Sequence, residues 1–97
     1  MEKAQFYITS GLQRFLIDQN STILMRAIVK LQELEVIKRE EFQVWRIKRK
    51  HKSKFTIVLD DGNYNKIFWS TIELPGCNAN KMKFYFENSV LCFPRER

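Results

Sequence analysis

Phe42-Gln43-Val44-Trp45-Arg46-Ile47-Lys48-Arg49-Lys50-His51-Lys52-Ser53-Lys54-Phe55-Thr56-Ile57-Val58-Leu59 is the stretch whose reading decides the fold. Upstream of it the apolar residues recur at helical spacing. Here they alternate with polar ones, the period of a strand with one buried face. Phe42, Val44, Arg46, Lys48 and Lys50 share one face; Gln43, Trp45, Ile47 and Arg49 share the other. The strand starts apolar and turns cationic along its length. It therefore reads as the first arm of a hairpin whose base packs on a core and whose tip projects into water.

Moving outward, Ile23, Leu24, Ala27, Ile28, Leu31 and Leu34 follow the i, i+3/i+4 spacing of one helical face. The spacing predicts a helix from about Ser21 to Glu35, with Asn20, Ser21 or Thr22 available to cap it. Gln5 to Thr9 reads as a short first strand, and Leu12 to Ile17 as a helical turn. On the other side, Asp60-Asp61-Gly62-Asn63 is a turn signal. Tyr64 to Leu74 reads as a strand broken by Pro75-Gly76. Lys81 to Phe86 and Ser89 to Phe93 form a last hairpin around Glu87-Asn88. The order β-α-β-β-β-β-β predicts an α+β fold. Its sheet is mostly antiparallel, with about five to six strands and one main amphipathic helix packed on one face. Ninety-seven residues with no repeat and no linker-like stretch read as a single domain over residues 1–97.

The composition is 44% hydrophobic with only three Gly and two Pro, which excludes a disordered or low-complexity chain. No segment reaches the roughly 18 apolar residues of a membrane span. Met1-Glu2-Lys3-Ala4-Gln5 has none of the marks of a secretory signal, so the expected location is cytoplasmic with no membrane partner. Cys77 and Cys92 lack CxxC spacing and read as buried free thiols. Asn20-Ser21-Thr22 matches the glycosylation sequon, which has no meaning without secretion.

The charge is distributed unevenly. Arg46 to Lys54 holds six of the 17 basic residues and no acidic one; the other 88 residues carry eleven of each sign. The whole net charge of +6 lies in this segment, so any electrostatic argument about partners concerns it. No catalytic chemistry accompanies it. The one histidine, His51, sits among cations that disfavour its protonated form. There is no HExxH, Cys/His cluster, GxSxG or phosphate-binding glycine loop. Asp60-Asp61 reads as a turn rather than a cation site. The chain is thus expected to be no enzyme and to hold no metal and no cofactor.

What remains is a binding module. Lys and Arg at this density release counterions when they meet phosphates. Arg46, Lys48, Arg49, Lys50, Lys52 and Lys54 are the candidate contacts to nucleic acid, with Trp45 either stacking on a base or anchoring the ribbon. An acidic protein surface is the alternative partner, met by the same hairpin or by a sheet edge.

Three patches add a resemblance. They are Phe6-Tyr7-Ile8-Thr9-Ser10-Gly11-Leu12, Phe42-Gln43-Val44-Trp45-Arg46-Ile47 and Ile72-Glu73-Leu74-Pro75. In order and type they resemble a family of small domains of unknown function from Gram-positive bacteria, their phages and mobile genetic cassettes. The resemblance implies no activity and no functional residues. It points only to a phage or mobile-element accessory protein; the alternative function is such a protein that binds and modulates a host protein through the same basic hairpin or a sheet edge. The basic charge and the last hairpin, Lys81 to Phe93, depart from the family pattern.

Overall fold

The computed structural model describes residues 5–97. Met1–Ala4, part of the segment tested for a signal peptide, lies outside the described residues. The chain runs through β1 (Tyr7–Ile8), α1 (Ser10–Asp18), α2 (Ile23–Leu31) and the single-turn α3 (Glu35–Lys38). Five strands follow: β2 (Phe42–His51), β3 (Lys54–Asp60), β4 (Lys66–Glu73), β5 (Lys81–Glu87) and β6 (Val90–Cys92), before a 3-10 turn at Pro94–Glu96.

The strands form one six-stranded sheet in the order β1-β6-β5-β2-β3-β4. The α+β class is as the sequence predicts. The sheet itself is mixed, which corrects the expectation of a mostly antiparallel one. β1 lies parallel to β6, with Tyr7 opposite Val90 and Ile8 opposite Leu91, while the other neighbours are antiparallel. A two-residue strand paired with the far end of the chain leaves no local signal, because parallel partners are joined by a crossover and not by a turn.

The single main helix is also corrected. Two nine-residue helices and a third turn precede β2. Helix α1 is longer than the turn read from Leu12 to Ile17, because Thr9 Oγ1 accepts the Leu12 N–H at 3.3 Å and so satisfies one orphan donor. Leu12 and Leu16, one helical turn apart, are fully buried. Helix α2 buries Leu24 and Ile28 but stops at Leu31, and Leu34 is exposed. The stop has a cause: Gln32 turns inward, and its amide donates to Ile28 O at 3.3 Å and to Gln43 Oε1 at 2.8 Å. At the other end Thr22 precedes the helix without a side-chain capping bond.

All of this helical surface covers one face of the sheet. Leu12, Leu16, Leu24, Ile28 and Ile37 pack against Trp45, Ile47, Phe55, Leu59 and Phe84 in one core. Left-handed backbone marks several of the turns, among them the following two. Asn88 and Ser89 join β5 to β6 with φ of 54° and 63°, as a tight hairpin demands. Gly62 has φ 94° beneath the Phe42 ring, so a side chain there meets both strain and contact. Among the described residues no helix is long and apolar enough to cross a membrane.

Candidate functional site

The β2–β3 hairpin carries the basic run as its tip. Ile47 pairs with Ile57 and Arg49 with Phe55; the register then slips by one, so Lys50 forms a bulge before His51 meets Lys54. Lys52 turns the corner with φ 52°. A bulge increases local twist and re-aims side chains. Lys48, Lys50, Lys52 and Lys54 are exposed. Among the described residues none of the four forms an ion pair.

The other three candidate residues are placed differently. Trp45 is fully buried, and its indole N–H donates to Gln43 Oε1 at 3.0 Å. It anchors the ribbon, which corrects its candidacy as a stacking ring. Arg49 faces the core side and stacks over the Phe55 ring at 4.6 Å. Its guanidinium donates to Asn80 Oδ1 (2.8 Å), Cys77 O (2.8 Å), Ala79 O (3.3 Å) and Lys52 O. It therefore clamps the hairpin to the β4–β5 loop and is committed internally. Arg46 lies on the open face, but Asp60 Oδ2 accepts its Nε–H at 2.6 Å, and the guanidinium also covers the Tyr64 ring at 4.5 Å. The hydrogen bond to Asp60 raises the Arg46 pKa further. Its charge is largely spent on the buried Asp60.

The face of the sheet away from the helices extends this surface, and residues outside the basic run complete it. Strand register sets two transverse rows. Lys83, Arg46, Val58 and Trp69 form one; Lys81, Lys48, Thr56 and Thr71 form the other. Lys81 and Lys83 are exposed, and Trp69 is 62% exposed. Lys48 lies directly opposite Lys81, and Arg46 opposite Lys83. Like charges directly opposite in a sheet are destabilising. The acidic groups at the edges of this face are occupied. Asp60 takes Arg46; Glu87 takes Arg97 at 3.0 Å; Glu73 accepts Ser53 Oγ at 2.7 Å and stands opposite Lys54. Composition could not single out Lys81 and Lys83, since the chain outside the basic run is neutral. The alternation Lys81-Met82-Lys83-Phe84 is the signal that both leave the core on the same side.

A model of the family of unknown function DUF6876 matches residues 1–97. The chain belongs to that family. No curated protein and no solved structure matches it. Membership in DUF6876 agrees with the resemblance at the level of a domain family of unknown function.

Other parts of this DUF6876 domain carry less chemistry. Asp61 accepts the N–H of Asn63 (2.8 Å) and Asn65 Nδ2 (2.9 Å), bonds that hold its carboxylate below the usual pKa and make it a turn residue. Cys77 and Cys92 are buried free thiols, and burial pushes the Cys92 thiol up. Among the described residues no three His, Cys, Asp or Glu side chains gather to hold a metal ion. A cleft of about 1120 Å³ runs between α2 and the β5–β6 turn, lined by Arg26, Lys30, Glu33, Lys38, Glu40 and Glu87 among others. Its charges are mixed. Gln32 and Gln43, which also line it, are bonded to each other at 2.8 and 2.9 Å.

Proposed function

We propose that this domain is a non-enzymatic binding module that contacts nucleic-acid phosphates through the tip of the β2–β3 hairpin. The supporting observation is that Lys48, Lys50, Lys52 and Lys54 stand exposed around one bulged turn, and none forms an ion pair among the described residues. Buried cations would signal a structural network. Exposed, unpaired ones held on a rigid ribbon keep their charge for an external anion. Arg46 and Arg49 hold the ribbon: Arg46 on Asp60, and Arg49 on the β4–β5 loop. Trp45 locks its base.

The test is a salt series on binding to duplex and single-stranded oligonucleotides. Contact with about four phosphates predicts a log–log slope near −3.6 on duplex DNA, and substitution of Lys50, Lys52 and Lys54 by Gln lowers it toward −1. Absence of binding at low salt refutes the proposal.

A second reading rests on a different observation. Strand β4 is eight residues long and ends the sheet, so its outer backbone groups have no partner strand. Such an edge accepts an added strand from a protein partner. This is the geometry that a phage or mobile-element accessory protein would use on a host protein. Capture from lysate that survives nuclease treatment and is lost when proline replaces Thr71 on β4 favours it.

A further inference from the structure

We propose that the open face of the sheet is a platform for single-stranded nucleic acid, with one base stacked on Trp69 and the backbone phosphates lying over Lys48, Lys81 and Lys83. The platform rests on the nucleic-acid reading above and extends it from the hairpin tip to a second surface and to a strandedness.

Several independent features converge on this face. The first is aromatic exposure. The two tryptophans have opposite fates: Trp45 is fully buried, whereas Trp69 keeps 62% of its surface in water. Burial of a large apolar side chain stabilises a fold, and Trp69 forgoes much of that. It lies on the same face as the lysines, in the row that runs Lys83, Arg46, Val58, Trp69. Val58 stands opposite it on β3.

The second feature is charge. Lys48 and Lys81 are set directly opposite each other on neighbouring strands, and Lys83 is opposite Arg46. Paired like charges cost stability in the free protein, and a polyanion removes that cost on binding. Arg46 has already given its charge to Asp60 at 2.6 Å, whereas Lys48, Lys81 and Lys83 form no ion pair among the described residues, Lys83 Nζ lying over the Tyr85 ring at 5.6 Å. Electrostatic complementarity thus selects an anionic occupant.

The third feature is geometry. Strands lie about 4.8 Å apart, so the face from β5 to β4 is roughly 14 Å wide, and the two rows are about 7 Å apart. A duplex turns its base edges inward and shows a flat protein face only phosphates. A single strand can place phosphates on one side of such a face and lay an unpaired base on a ring at the other. One ring and three lysines match one stacked base with two or three phosphates. The hairpin cations continue from Lys48 along the same strand toward Lys50, so a longer strand runs from the face onto the tip.

The experiment uses the full chain with fluorescein-labelled 12-mer oligo-dT, 12-mer oligo-rU and a 12-bp duplex, read by anisotropy and by tryptophan emission. Trp45 is buried, so quenching by a bound base reports on Trp69. Tighter binding to the single strands than to the duplex is expected, with quenching only on the single strands. Trp69→Ala is expected to weaken single-strand binding about 5- to 150-fold and to leave duplex affinity unchanged. Lys81→Gln with Lys83→Gln is expected to reduce the single-strand salt slope by about 1.4. Circular dichroism of each variant verifies the fold, and Trp69→Phe, which keeps a stacking ring, recovers most of the affinity. The platform is overturned if Trp69→Ala binds single strands as the parent does, or if a poly-glutamate peptide binds as tightly as the oligonucleotides. In the first case, loss of binding by the Lys50, Lys52 and Lys54 variants keeps the hairpin reading alive. Failure to bind any of the three oligonucleotides at low salt removes both.

Discussion

Replacing Gln43 by Leu tests whether a buried amide network, rather than apolar contact alone, holds the helices onto the sheet. Gln43 Oε1 accepts from Gln32 Nε2 (2.8 Å) and from the Trp45 indole N–H (3.0 Å). Its Nε2 donates to Gln32 Oε1 (2.9 Å), Ile37 O (3.0 Å) and Glu40 O (3.2 Å). One side chain so ties α2, α3 and β2 together. Leu has a similar volume but leaves the Trp45 N–H and the Gln32 Oε1 without partners inside the protein. Each orphaned buried group costs about 1–3 kcal/mol, and added apolar burial returns part of that. The expected net loss is about 2–4 kcal/mol, which for a domain of this size lowers Tm by roughly 10–25 °C. Urea and thermal unfolding followed by circular dichroism give both numbers. Adding Gln32→Leu and Trp45→Phe removes the orphaned groups, so the triple variant is expected to be more stable than Gln43→Leu alone by at least about 1 kcal/mol. A loss below about 0.5 kcal/mol for Gln43→Leu, or simple additivity of all three changes, refutes the reasoning.

Three further outcomes follow from the geometry. Arg49→Lys breaks the fork that reaches Asn80, Cys77 and Ala79; chemical denaturation is expected to reveal a loss of about 1–3 kcal/mol, while the oligonucleotide salt slope stays at the parent value. Lys81→Glu converts the Lys48–Lys81 opposition into an attraction: at low salt stability is expected to rise by about 0.5–1 kcal/mol and Tm by roughly 2–8 °C, a gain that fades in 1 M salt while nucleic-acid affinity falls. Glu96 is held below the usual carboxylate pKa by the Phe93 N–H (2.9 Å) and the Thr9 hydroxyl (2.7 Å). Because its folded pKa lies below its unfolded one, its contribution is full above about pH 5 and is lost as pH falls through the folded value; a pH series of unfolding midpoints for Glu96→Gln is expected to have a shallower acid limb than the parent.

Local alternation made the central strands legible. Residues 42–48 and 55–59 both fall inside observed strands, and Gln43, Trp45 and Ile47, which the alternation puts on one face without saying which face is the core, are all buried. What escaped depended on partners distant in sequence. The apolar spacing of α2 runs on to Leu34, yet the helix stops at Leu31 because Gln32 is needed by Gln43, eleven positions away in another element. The parallel β1–β6 pair rests on a two-residue strand with no turn to announce it. At the candidate site, charge density located the cations but not their state. Arg49 and Lys50 are neighbours of similar character, and only the β4–β5 loop distinguishes the internal clamp from the exposed bulge. Lys81, Lys83 and Trp69 belong to other strands, and sheet order alone brings them onto the face that carries Lys48.

The two margins of the sheet are unequal, and that inequality bears on self-association. At one margin β4 offers eight residues of open backbone; at the other, among the described residues, β1 offers two. Growth of an open fibre needs one margin of each copy to join the opposite margin of the next, and a two-residue ladder is too short to sustain it. Joining β4 to the β4 of a second copy uses the long margin twice about a two-fold axis and leaves only the short ones outside. Assembly through the described margins is therefore expected to stop at two copies, with Trp69, on β4, brought close to the seam.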